Sequence, residues 1–154
     1  VTERSCVVES PVGALRIVVG EAGLREIRFV EQRADGSIDA ACAGVAAQLA
    51  EYFAGHRRSF DLPLDLRGTP FQLRAWTALC EIPFGTTQSY AEQARAIGSP
   101  RAFRAVGSAN GANPVPIVVP CHRVVASGGS LGGYSAGLPI KRALLAIEGV
   151  SVAG

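Results

Sequence analysis

The chain has 154 residues, 48% of them hydrophobic, enough to fill the core of one domain or two small ones. No apolar run approaches the ~18 residues of a membrane span. Net charge is only +2, but it is unevenly placed.

Residues 1–70 hold eight Lys and Arg against ten Asp and Glu, whereas residues 71–154 hold seven against three. Between Glu92 and Glu148 there is no acid, yet Arg95, Arg101, Arg104, Arg123, Lys141 and Arg142 lie there. Such a stretch suits a polyanion, nucleic acid first among them; a solvated basic face would give the same pattern. The start, Val1-Thr-Glu-Arg-Ser-Cys6, has the features of neither a signal peptide nor a transit peptide. Cys6, Cys42, Cys80 and Cys121 are scattered, and the two histidines are His56 and His122, so no metal site is expected. Free thiols point to a reducing, intracellular compartment. One lysine against fourteen arginines is the usage of a GC-rich genome, so a prokaryotic cytoplasm is the expected location.

The first half opens with alternating, β-rich stretches at residues 6–10, 14–19 and 24–30, separated by Pro11-Val12-Gly13 and by the turn from Gly20 to Gly23. They predict an antiparallel meander. Residues 39–54 predict a helix with Leu49, Tyr52 and Phe53 on its apolar face. Residues 62–66 read as a short strand or a linker. Gly68-Thr69-Pro70 marks a boundary, with Thr69 as N-cap and Pro70 in the first turn of a helix. The expected division is residues 1–68 and 69–154.

The second half reads as mostly helical, and the fold class as α+β. Residues 71–80 predict an apolar helix carrying Trp76. Ser89 and Glu92 form a capping-box pattern, and the helix they open ends near Gly98. Ser99-Pro100 caps the next helix, which runs to about Asn110; the pair reads as a helix-turn-helix. On its second helix Arg101, Arg104 and Ser108 share a face, with Phe103 and Val106 turned inward. Ala102, Ala105, Gly107 and Ala109 keep that helix slender enough to approach a DNA groove. A last helix spans Pro139 to Gly149.

The chemistry concentrates in Pro120-Cys121-His122-Arg123-Val124. Thiolate is a strong nucleophile, and His122 and Arg123 are neighbours able to favour it. Pro120 lacks an N–H, so an ordinary central strand is not expected there. In an extended chain, adjacent side chains point apart, so His122 serves Cys121 only if the backbone turns or a water bridges them. Glu148 sits at a helix C-terminus, where a carboxylate opposes the macrodipole; it reads either as a working acid or as an exposed residue without a role. Asn113, between Gly111-Ala112 and Pro114, reads as a turn residue. Gly132-Gly-Tyr-Ser-Ala-Gly137 reads as a flexible lid.

The whole segment Asn113-Pro-Val-Pro-Ile-Val-Val-Pro-Cys-His-Arg-Val-Val125 resembles the active-site signature of the O6-alkylguanine-DNA alkyltransferases, also called methylated-DNA–protein-cysteine methyltransferases. The resemblance runs from about Ile82 to Gly149, through Pro83-Phe84-Gly85, Ser89-Tyr90, Arg104-Ala105-Val106-Gly107, Tyr134-Ser135 and Glu148-Gly149. It implies a ribonuclease H-like N-terminal domain and a winged-helix-like C-terminal one. It implies direct-reversal DNA repair: single-turnover transfer of an alkyl group from O6-alkylguanine to Cys121, with O4-alkylthymine an open second substrate. By resemblance His122 takes the thiol proton through a water, Glu148 supports the imidazole, and Asn113 links the recognition helix to the active-site segment. Tyr90 assists rotation of the nucleotide and bonds the flipped base. Arg104 enters the stack in its place, with Arg101 and Ser108 on the same DNA-facing surface. Pro116, the Val124 carbonyl, Gly132, Tyr134 and Ser135 form the base pocket, one wide enough for a benzyl group. The partner implied is double-stranded DNA carrying the lesion, with no cofactor, no membrane and a monomeric protein. Two rivals are a non-catalytic DNA-binding module, against which Cys121 counts, and a cysteine hydrolase, against which the basic helix pair counts.

Overall fold

A computed structural model of the chain describes residues 3–152. Residues 1, 2, 153 and 154, the outer ends of the two expected domains, lie outside the described residues. The chain divides into two compact units, one ending at Arg67 and the other beginning at Gly68.

The first unit carries a three-stranded antiparallel sheet in the order β1 (Arg4–Val8), β2 (Ala14–Gly20), β3 (Gly23–Val30). Leu15, Ile17, Leu24 and Ile27 turn to the buried side of the sheet while Arg16 and Arg28 face out, the period-two pattern of a half-covered sheet. A short 3-10 turn capped by Asp39 leads into α1 (Ala43–Phe53), which buries Val45, Leu49 and Tyr52. Phe53, expected on that apolar face, is only half-buried. The segment 62–66 returns to the sheet as an isolated parallel bridge, Leu24 to Leu64. Gly23 admits it: a Cβ there would lie 2.5 Å from the Pro63 carbonyl oxygen, and φ is +140°.

The second unit begins with α2 (Pro70–Cys80). Thr69 and Gln72 close a full capping box over it, and Pro70 occupies its first turn. Ser89 and Glu92 do the same for α3 (Tyr90–Ala96), which ends before Gly98 at φ +76°. The helix after the turn departs from the sequence reading. It is α4 (Phe103–Gly111), with Ala102 as its N-cap and no side-chain cap. Ser99 instead accepts the Ala102 N–H within the preceding turn. Arg101 therefore lies in that turn, off the helical face it was expected to share with Arg104 and Ser108. Phe103 is also 46% exposed rather than inward, because the later start leaves it in the first turn; Val106 alone of the two is buried.

Polar bonds lock these three helices together. Trp76 Nε1 donates to the Ala109 carbonyl at 2.8 Å, joining α2 to α4. Gln93 of α3 and Asn110 of α4 exchange two amide bonds of 2.9 and 2.8 Å, and Gln93 also donates to Ala75 of α2. A parallel two-stranded pair, β4 (Gln88–Ser89) with β5 (Val124–Val125), had no sequence signal; it ties the start of α3 to the chain just past Cys121. The final helix α5 (Leu138–Ile147) ends at Glu148 as C-cap, followed by Gly149 at φ +79°. Among the described residues no helix is long and apolar enough to cross a membrane.

Gln93→Leu strands the Asn110 carboxamide in the interior and should cost about 1–3 kcal/mol in urea unfolding. The double change Gln93→Leu with Asn110→Leu removes both polar groups and should recover part of that loss.

Candidate active site

Cys121 opens a 3-10 turn, Cys121–Arg123, and is buried. Two backbone features deliver it there. Ile117 holds φ at +76°, a costly left-handed torsion for a β-branched residue, inside a loop closed by Val119 N–H on the Val115 carbonyl at 2.9 Å. Pro120, at φ −84° and ψ 67°, is the centre of an inverse γ-turn closed by Cys121 N–H on the Val119 carbonyl. Asn113 clamps the strained loop from inside. Its Oδ1 accepts from Val115 N–H at 2.9 Å and its Nδ2 donates to the Val119 carbonyl at 2.8 Å. Its own N–H reaches the Asn110 carbonyl at the end of α4, so it connects that helix to the loop through the backbone.

His122 and Glu148 are fully buried side chains 2.6 Å apart, Nε2 to Oε2. A carboxylate only accepts, so Nε2 carries the proton and Nδ1 keeps its lone pair. Burial pushes the His122 pKa down, against the pull of Glu148, and the imidazole stays neutral. Nδ1 is buried with no hydrogen-bond partner among the described residues, so it is a free acceptor. Arg123 completes the cluster. Its Nε and NH2 groups grip both Glu148 oxygens at 2.8 and 3.0 Å, and a third donor reaches the Ile82 carbonyl at 2.7 Å. Gly85 N–H adds a bond to Glu148 at 3.1 Å. Glu148 is therefore neither exposed nor idle.

Arg123 and Lys141, counted in the sequence reading among charges facing a polyanion, both turn inward. Lys141 is 0% exposed. Its Nζ donates to the Val124 carbonyl at 2.7 Å and the Gly133 carbonyl at 2.8 Å, and it lies 5.9 Å from the Tyr90 ring centre. Burial lowers its pKa to about 8. The role of Lys141 was missed because an isolated Lys on a helix gives no signal of its burial. Arg123 does not favour the thiolate as expected; it is committed to Glu148. Burial raises the Cys121 pKa above the usual thiol value, and Asn113, the Lys141 charge and Tyr134 oppose that rise in part. The resting thiol is protonated.

Cys121 lines a cavity of about 180 Å³ with Tyr90, Gly107, Asn110, Gly111, Gly133, Tyr134 and Ser135. Of the five expected pocket residues, Tyr134 and Ser135 line it. Pro116, Val124 and Gly132 do not. Val124 is buried with its carbonyl on Lys141, and Gly132 stands behind Tyr90, where a Cβ would come within 3.0 Å of the Tyr90 hydroxyl. The Tyr90 hydroxyl also bonds Gly133, at 3.3 Å as acceptor and 3.4 Å as donor. The buried Tyr134 hydroxyl has no partner of hydrogen-bond geometry, though burial and the Cys121 thiol raise its pKa. Arg101, Arg104 and Ser108 are all exposed. Among the described residues no three His, Cys, Asp or Glu side chains gather to hold a metal ion.

A buried cysteine on a small cavity, beside a neutral imidazole held by a buried carboxylate and in the same unit as a helix-turn-helix pair, is the site of a cysteine-nucleophile protein. Residues 70–150 match the family described as 6-O-methylguanine DNA methyltransferase, DNA binding domain, and residues 5–66 match its ribonuclease-like domain. The chain is 49% identical over 147 residues to a methylated-DNA–protein-cysteine methyltransferase of Mycolicibacterium paratuberculosis, covering 92% of this chain and 89% of that one. Mycobacterium tuberculosis OGT, solved in complex with DNA, aligns with a TM-score of 0.87 at 46% identity, over 97% of this chain and 93% of that one. Schizosaccharomyces pombe Atl1, solved with damaged DNA containing O6-carboxymethylguanine, aligns with a TM-score of 0.50 at 37% identity, over 55% of this chain and 81% of that one. The chain belongs to the methylated-DNA–protein-cysteine methyltransferase family.

Lys141→Met should move the pH profile of Cys121 alkylation by iodoacetamide to higher pH. The difference should be largest below about pH 8, where the wild-type ammonium still holds its proton. Loosened packing alone would instead speed alkylation at every pH.

Proposed function

We propose that Cys121 accepts an alkyl group from O6-alkylguanine extruded from double-stranded DNA, once per molecule. The observation that supports it most is the placement of the thiol: Cys121 lines the cavity with Tyr90 and Tyr134 while its neighbour His122 keeps an acceptor nitrogen free. In this reading the thiol proton passes to His122 Nδ1 through a water, with Glu148 holding the ring. The Cys121 sulfur attacks the alkyl carbon, an S–C bond forms and the C–O6 bond breaks. The electron pair stays on guanine, which takes up one proton; the Tyr90 hydroxyl stands on the cavity wall to assist. The resulting thioether does not hydrolyse, so the protein is consumed. Burial suits this order of events. A thiol kept protonated at rest does not react with stray electrophiles, and deprotonation waits for a bound base.

The DNA face in this reading is α4. Arg104 and Ser108 are exposed on it, with Arg101 in the turn before, and Gly107 presents no side chain between the helix and Tyr90. A slim helix suits a minor groove about 6 Å wide once the groove opens. Arg104 takes the space of the extruded nucleotide. Residues 69–154 carry binding and transfer, and residues 1–68 serve as structural support. Arg123 and Lys141 hold the site and leave DNA contact to the exposed arginines. A thiol nucleophile needs a reducing compartment, and the cytoplasm is the setting proposed. The residues do not call for a cofactor, and one chain suffices for the reaction.

Incubation with duplex DNA carrying a labelled O6-methyl group should move label onto the Cys121 peptide in stoichiometric amount, and Cys121→Ser should abolish this while DNA binding stays within about threefold by gel shift, since a single thiol contributes little to a phosphate-dominated interface. Binding without label on the wild-type protein would favour the non-catalytic module, and released label would favour a hydrolase. Arg104→Ala should slow transfer from duplex DNA far more than reaction with free O6-methylguanine, because the free base needs no extrusion. Equal slowing would assign Arg104 to the pocket or the fold.

A further inference from the structure

Asn110 is a polar side chain where a helix ordinarily buries carbon. It sits on the inner face of α4, 7% exposed, and lines the cavity that Cys121 lines. Its amide is not free to choose which end it presents. Gln93 Nε2 donates to the Ala75 carbonyl at 3.2 Å and to Asn110 Oδ1 at 2.9 Å, and Asn110 Nδ2 donates to Gln93 Oε1 at 2.8 Å. The Ala75 carbonyl can only accept, so it fixes the NH2 end of Gln93. The reciprocal pair then fixes Asn110: its oxygen must face the Gln93 NH2 and its NH2 must face the Gln93 oxygen.

A primary amide has two N–H bonds. One of those on Asn110 is taken by Gln93, and the other has no hydrogen-bond acceptor among the described residues. Asn110 lines that cavity, and its remaining N–H, the one turned away from Gln93, is a donor held in orientation by a network reaching across three helices. Neither Asn110 nor Gln93 has a part in the transfer chemistry described above.

We propose that the second N–H of Asn110 donates to an unprotonated ring nitrogen of the extruded alkylpurine, making Asn110 a substrate-binding residue and Gln93 the residue that positions it. This rests on the alkyl-transfer reading. An O6-alkylated guanine offers three such in-plane acceptors, N1, N3 and N7; N1 loses its hydrogen when O6 is alkylated. A base without an acceptor at the matching atom leaves a buried donor unpaired, which is how a polar site rejects a near-isostere.

The test is a cycle between protein and substrate. Single-turnover rates are measured on duplex DNA carrying O6-methylguanine and its 1-deaza, 3-deaza and 7-deaza analogues. The proteins compared are the wild type and the Gln93→Leu/Asn110→Leu double variant, which leaves no orphaned amide. The wild type should react about tenfold or more slowly with one analogue than with the parent base, and in the double variant that penalty should shrink to about twofold or less, the mark of a directly coupled pair. Gln93→Met/Asn110→Met serves as a second variant if the first melts too low to assay. Equal penalties in wild type and variant for all three analogues, or no penalty in the wild type, overturn the proposal while alkyl transfer stands. Absence of methyl on wild-type Cys121 with the parent base overturns the transfer reading and this proposal together.

Discussion

The buried carboxylate of Glu148 is the constraint on which the second unit turns. A carboxylate without water must be surrounded by donors, and the loss of any one of them is costly. Glu148 draws its donors from two separate segments: two Arg123 nitrogens and His122 from the 3-10 turn, and Gly85 N–H from the loop after α2. Arg123 reaches on to the Ile82 carbonyl. The end of α5, the loop around residues 82–85 and the Cys121–Arg123 turn are thereby held at one point. The position of the thiol follows from that charge cluster as much as from the hydrophobic core.

The same cluster solves the problem of a carboxylate at a helix C-terminus. Alone there it would oppose the dipole. With an arginine fork on both oxygens the local charge is balanced, and the remaining interaction, with His122, selects one tautomer of the ring. A buried neutral imidazole with an open Nδ1 is a base that cannot be protonated cheaply at rest. Cys121 shows the matching property, since burial keeps its thiol protonated. Reactivity is withheld by desolvation on both partners.

Strain and order are stored beside the thiol rather than on it. Ile117 accepts a left-handed torsion because its side chain is fully buried and Asn113 bonds both ends of its loop. On the other wall, Lys141 holds the Val124 and Gly133 carbonyls together, and Gly133 in turn meets the Tyr90 hydroxyl. One ammonium thus fixes the strap that carries Tyr134 and Ser135 against the chain that carries Cys121. The first unit uses simpler means, an apolar sheet face and one helix, with Gly23 as the position where the returning segment touches backbone.

Local patterns carried much of this in the sequence. Thr69 before Pro70 and Ser89 with Glu92 mark helix starts because a cap is made within four residues. Alternation in β2 and β3 marks a half-buried sheet for the same reason, and Pro120 excludes a regular strand whatever surrounds it. The signature around Cys121 resembles that of the family to which the chain belongs. What the sequence could not decide is which charges are surface and which are core. Arg123 and Lys141 look like Arg101 and Arg104 in a string of letters; only the packing of α5 and the 3-10 turn commits the first two to Glu148 and to backbone carbonyls. The start of α4 slipped for a related reason. Ser99-Pro100 is a good local cap, but the turn took Ser99 for its own hydrogen bond and the helix began at Phe103. The Gln93–Asn110 pair had no local signature either, since its two amides are seventeen residues apart and meet only when α3 packs on α4.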